Sequence, residues 1–89
     1  MLKGQVLVIN KKGLHARAAS KLAQATTPYQ AEVKIGFPER MVNAKNIMSI
    51  MMLGAAQGTS LNVEAIGDDA HEAFAALVDI FARRFDEDE

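Results

Sequence analysis

Apolar and polar positions change their period along this chain, and the changes outline a run of short elements. Gln5 to Ile9 are apolar and rich in β-formers, which predicts a strand, and Gly13 breaks the chain soon after. From Ala16 to about Ala25 the chain is rich in alanine, with Ala19, Leu22 and Ala23 on one face, which predicts a helix ended by Pro28. Ala31, Val33 and Ile35 then alternate with Glu32 and Lys34 as a half-buried strand does. Gly36-Phe37-Pro38-Glu39 reads as a turn and Met41-Val42 as a short return strand. Asn46 suits a helix N-cap, with Ile47 to Leu53 as a short helix and Gly54 as its stop. After Gly58, alternation resumes at Leu61, Val63 and Ala65. Last come Ala70, Ala73, Phe74, Leu77, Val78, Phe81 and Phe85, at the three-four spacing of an amphipathic helix. Asp69 and Glu72 at its start resemble a capping box.

The order β-α-β-β-α-β-α predicts an α+β fold, because four strands with one apolar face need a cover that three apolar-striped helices supply. The expected architecture is a two-layer open-faced sandwich, with a mostly antiparallel four-stranded sheet and three helices on one face. With 89 residues the chain holds one domain, here residues 1–85, followed by an acidic tail, 86–89, that reads as a solvated end. Cysteine is missing, which excludes disulfides, thiolate zinc sites and thiol nucleophiles, and two histidines are few for a metal site. No metal and no cofactor are expected. Neither a secretory signal nor an apolar run of membrane-spanning length is visible, so a cytoplasmic protein with no membrane insertion is expected. Net charge is −1, which argues against nucleic-acid binding, yet residues 1–85 hold ten bases against seven acids. That body is suited to an acidic partner or a phosphate.

Gly13-Leu14-His15-Ala16-Arg17-Ala18-Ala19 is the stretch that bears on chemistry. His15 falls where a glycine-containing loop becomes an alanine-rich helix. The first helical N–H groups lack intrahelical partners, and the helix dipole makes that end electropositive, so a phosphoryl group fits there. Arg17 adds a permanent cation with a planar fork of donors. A neutral imidazole is a competent nucleophile, so these residues describe a site that accepts a phosphoryl group and releases it. The plainer alternative is a surface histidine or local cap. His71 lies among Asp68, Asp69 and Glu72 and reads as a surface residue without a catalytic part.

Gly13-Leu14-His15-Ala16-Arg17 resembles the active-site signature of the HPr family, histidine phosphocarriers of the phosphoenolpyruvate-dependent phosphotransferase system. The block from Val42 to Ala55 resembles that family's second signature, and Gly58-Thr59 and Ala65-Ile66-Gly67-Asp68 match in place. The resemblance implies a phosphocarrier rather than a turnover enzyme. His15 would take a phosphoryl group on Nδ1 from an enzyme I-type protein and pass it to an enzyme IIA-type acceptor, in sugar uptake or in nitrogen-related regulation. Arg17 would steady the phosphoryl oxygens, with the backbone of Ala16, Arg17 and Ala18 binding phosphate.

Two positions depart from the family's pattern. Ala18 stands where proline is usual, which loosens the first turn but leaves an N–H that proline lacks. That amide is expected to add a donor to the phosphate-binding end. Asn46 stands where many members carry a regulatory serine, so the cap survives and the phosphorylatable hydroxyl does not. These two features and the Phe85-Asp86-Glu87-Asp88 ending resemble the nitrogen-related branch, NPr, whereas the middle block resembles the sugar-system branch.

Ile47, Met48, Ile50, Met51, Met52 and Leu53 are more apolar residues than one buried stripe holds. Ile50 and Leu53 are assigned to the core. Ile47, Met48 and Met51 are expected to form an apolar docking patch on a monomer, rimmed by Lys12, Lys21 and Lys45, because thioether side chains repack against differently shaped partners. A nucleic-acid module is disfavoured because Phe74, Phe81 and Phe85 fall on the helical stripe rather than on the sheet. A purely regulatory module that binds partners without transferring phosphate is the other alternative, and the retained His15 speaks against it.

Overall fold

A computed structural model describes residues 1–88. The strands are β1 (Leu2–Leu7), β2 (Glu32–Phe37), β3 (Arg40–Asn43) and β4 (Ser60–Ile66). The helices are α1 (Ala16–Thr26), α2 (Ile47–Met51) and α3 (Ala70–Ala82), with a single turn, Arg84–Asp86, after the last. Alternation in β4 places Leu61, Val63 and Ala65 on the covered face, and this strand becomes the middle of the sheet. It pairs with β1 on one side (Leu2↔Ala65 through Leu7↔Ser60) and with β2 on the other (Glu32↔Ile66 through Gly36↔Asn62). β2 also pairs with β3, so the order is β1-β4-β2-β3 and every pairing is antiparallel.

Helices cover the apolar face. Leu22, Ile35, Ile50, Leu61 and Leu77 are fully buried together, each contributing about 1.5–3 kcal/mol relative to exposure. The opposite face is polar, with Gln5 donating to Asn62 at 3.1 Å and Lys34 beside Glu32 at 3.5 Å.

Several sequence expectations need correcting, and α2 is one of them: it ends at Met51, with Met52 as its C-cap, rather than at Leu53. β1 runs from Leu2 to Leu7 rather than from Gln5 to Ile9, because the register with β4 decides which residues pair. Gly36 and Phe37 belong to β2, and the turn shrinks to Pro38 and Glu39. A Cβ at Gly36 would stand 2.1 Å from the Arg40 carbonyl oxygen, so only glycine lets the two strands meet this tightly. No capping box forms at Asp69: its carboxylate accepts the backbone N–H groups of Gln30 at 2.9 Å and Ala31 at 2.8 Å, tying the start of α3 to the chain entering β2. Those hydrogen bonds, Gln30 first, hold the Asp69 carboxyl below its ordinary 3.8. Finally, α3 stops at Ala82, three residues short of Phe85. Arg84, Phe85 and Asp86 have φ of 56°, 55° and 63°, and this left-handed turn still buries Phe85, edge-on to Phe81 with ring centroids 4.9 Å apart.

Candidate functional site

The loop before α1 is shaped by its own backbone. Gly13 has φ +71°, and a Cβ there would lie 2.5 Å from the Ala55 carbonyl oxygen. Leu14 N–H donates to that same oxygen at 2.9 Å, and the Leu14 side chain is buried. The buried side-chain amide of Asn10 donates to the Gly13 carbonyl at 2.8 Å and closes the loop. His15 is thereby delivered to α1 as its N-cap in an extended conformation (φ −75°, ψ −179°).

The His15 ring is used at both nitrogens. Nδ1 accepts the Arg17 backbone N–H at 3.3 Å, and Nε2 is bonded to Oε2 of Glu87. An acceptor at Nδ1 assigns the ring proton to Nε2, which donates it to the carboxylate. The first helical N–H to reach a carbonyl one turn back is that of Ala19, to His15 O at 2.8 Å. Among the described residues the amides of Ala16 and Ala18, at the positive end of α1, have no partner, while that of Arg17 is taken by Nδ1 and Ala18 is fully buried. The ring's side chain keeps 30% of its surface exposed, open to an incoming group.

Glu87 closes the other side. Its Oε1 accepts the Asn10 side-chain amide at 2.9 Å, and its side chain is only 13% exposed. Burial alone would push this carboxyl up, but hydrogen bonds from Asn10 and His15, with the charge of Lys12, hold it below its ordinary 4.5. The open cleft around the ring is lined by Lys12 and Arg17 together with Asp86, Glu87 and Asp88.

His15, Ala16 and Arg17 line this cleft with Lys12, whereas Ala18 is fully buried and does not. Lys21 pairs with Asp86 at 3.4 Å, at the base of the tail. Lys45 lines a surface hollow together with Ile47, at the edge of the apolar patch, and its ammonium donates to the Tyr29 carbonyl at 2.5 Å. On α2, Ile47 and Met48 point outward, Met48 with 65% of its surface exposed. Met51 instead packs against the core, and Met52, at 62% exposure, takes its place on the outside. A helix of only five residues turns its following residue, the C-cap, to solvent. Asn46 caps that helix through Oδ1, which accepts Ser49 N–H at 3.0 Å. His71 is exposed in the first turn of α3, outside the cleft.

Asn10 and Glu87 were not singled out by the sequence, and Glu87 departs from the solvated tail expected there, whereas Asp86 and Asp88 are exposed. Asp86 lies within the left-handed turn and Glu87 lies against His15, whereas Glu89 falls outside the described residues. A buried aromatic followed at once by acids was the available signal, but it carries no periodicity. Among the described residues no helix is long and apolar enough to cross a membrane.

Comparison with known proteins agrees along the whole chain. The family described as PTS HPr component phosphorylation site matches residues 2–83. Phosphocarrier protein HPr of Xylella fastidiosa (strain 9a5c) is 46% identical over 99% of each chain. Phosphocarrier protein NPr of Shewanella violacea is 36% identical over 97% of this chain and 94% of that one. The crystal structure of an HPr from Thermoanaerobacter tengcongensis superposes with a TM-score of 0.94 at 38% identity, covering 100% of both chains.

Proposed function

The chain belongs to the HPr family, phosphocarriers of the phosphotransferase system, and from that premise we propose that His15 is the residue that takes and gives the phosphoryl group. One observation carries the proposal: Nδ1 of a partly exposed imidazole lies at the N-terminus of α1, against the Arg17 backbone N–H. Phosphoryl transfer asks a protein mainly for alignment and charge stabilisation, and this end of the helix offers both. As phosphorus approaches Nδ1, the long bond from the Arg17 amide yields, and that N–H turns to a phosphoryl oxygen. The amides of Ala16 and Ala18 and the Arg17 guanidinium take the remaining charge. Ala18 keeps the N–H that proline lacks and, being fully buried, donates it only as the first turn of α1 shifts toward the phosphoryl group.

The donor is an enzyme I-type protein charged by phosphoenolpyruvate, and the acceptor is an enzyme IIA-type protein. Both dock transiently on a monomer in the cytoplasm, over Ile47, Met48 and Met52, with Lys12 and Lys21 as the basic rim. No resident cofactor takes part.

Incubation with phosphoenolpyruvate and an enzyme I-type protein of either branch, followed by intact mass, tests this reading. An acid-labile gain of one phosphoryl group, missing in His15→Ala, is expected, and the faster donor identifies the branch. A gain that persists in His15→Ala would overturn it.

A further inference from the structure

We infer that Glu87, clamped by Asn10, is a positioning residue for His15: by holding Nε2–H it presents the Nδ1 lone pair to the incoming phosphoryl group. The inference rests on His15 being the phosphoryl acceptor and names the part of the site that sets the ring's state.

Both oxygens of Glu87 are committed, Oε2 to the ring and Oε1 to Asn10. Asn10 is fully buried, and its amide also holds the Gly13 carbonyl, so one side chain joins the tail to the loop that delivers His15. The route of the chain to this point is costly. Three successive residues, Arg84, Phe85 and Asp86, take left-handed φ, which L-residues disfavour because Cβ crowds the following carbonyl oxygen. Strain of this kind persists where the surroundings over-determine it. Here buried Phe85 anchors the turn, and Asp86 is paired with Lys21 at 3.4 Å and Arg83 at 3.3 Å.

A carboxylate on the far nitrogen of a histidine fixes its tautomer and orientation and raises the basicity of the near one. The transfer step balances without any other reactant. The Nδ1 lone pair forms the bond to phosphorus, while the bond from phosphorus to the donor atom breaks and its electron pair leaves with the donor. The ring becomes a phosphoimidazolium that keeps its Nε2 proton, and the Glu87 carboxylate offsets the new positive charge. In onward transfer the N–P pair returns to Nδ1, and no proton has to move in either direction.

Glu87→Gln keeps an oxygen acceptor without the charge, and Glu87→Ala removes both. Phosphoryl uptake is expected to slow by about tenfold or more in Glu87→Ala and by less in Glu87→Gln. The imidazole N–H signal in ¹⁵N-labelled protein is the second readout. It should be coupled to Nε2 and slow to exchange in the natural sequence, and lost to solvent exchange in Glu87→Ala. Uptake at the unsubstituted rate with an unchanged ring signal would overturn the inference. Should Glu87→Ala lose stability, Glu87→Gln and the ring signal of the unsubstituted protein still decide the matter. His15→Ala separates the two readings: its phosphorylation would remove the carrier assignment itself, whereas an inert His15→Ala beside a normal Glu87→Ala would remove only the role of Glu87.

Discussion

The side-chain amide of Asn10 and the carboxylate of Glu87 meet at 2.9 Å, across 77 positions of the chain. Asn10 is expected to matter through this contact and through its second bond, to Gly13. Asn10→Ala strands a buried carbonyl and half of a carboxylate, at a cost of about 1–3 kcal/mol in urea denaturation. Loss of the Asn10 side-chain oxygen, itself without a partner among the described residues, offsets part of that cost.

Acid should release the tail. The folded-state carboxyl of Glu87 lies below its ordinary 4.5, so its contribution to stability is complete above that value and is lost as pH falls through the lower folded value. Asp69 acts in the same sense relative to 3.8, at the junction of α3 and β2. Denaturation midpoints recorded from neutrality to about pH 3 should fall. Glu87→Gln should remove the part that belongs to the tail and leave the part that belongs to Asp69.

Two glycines with similar φ should respond differently to alanine. Gly54 (φ +65°) has nothing within 4 Å of the point where an alanine methyl would sit, so Gly54→Ala should cost only the left-handed strain, about 1–2 kcal/mol. At Gly13 (φ +71°) the added methyl would stand 2.5 Å from the Ala55 oxygen, so Gly13→Ala should cost more. It should also displace His15 and slow phosphoryl uptake. Melting temperatures and uptake rates for the pair provide the check.

On α2, neighbouring positions should separate stability from docking. Met48→Asp changes an exposed side chain and should shift stability by no more than about 0.5 kcal/mol. Its effect should instead be slower phosphoryl exchange with the donor, through a higher half-saturating concentration. Ile50→Ala empties a fully buried position and should cost about 2–5 kcal/mol with little change in docking at temperatures where it stays folded.

Periodicity, with the turn, cap and stop residues between the periodic runs, was enough to predict the order of strands and helices, because alternation and three-four spacing report directly which face of an element is buried. It was not enough for their ends. Gly36 joins a strand only because β3 comes close enough to pair with it, and Asp69 leaves its own helix because Gln30 and Ala31 offer unpaired amides. On α2, six apolar residues signalled an outward patch, but only the packed fold turned Met51 inward and Met52 outward.

The candidate site divides along the same line. His15, Arg17 and the start of α1 follow from a local run of residues, where a glycine loop and an alanine-rich helix put an imidazole beside unpaired amides by chain geometry alone. Asn10 and Glu87 belong to the site only after α3 has packed on the sheet, ended at Ala82 and reversed through Phe85. Local spacing thus determined the fold class, together with the residue proposed as nucleophile and the helix end it caps. Long-range packing decided the state of the ring, because a hydrogen bond between positions 15 and 87 depends on where every intervening element has settled.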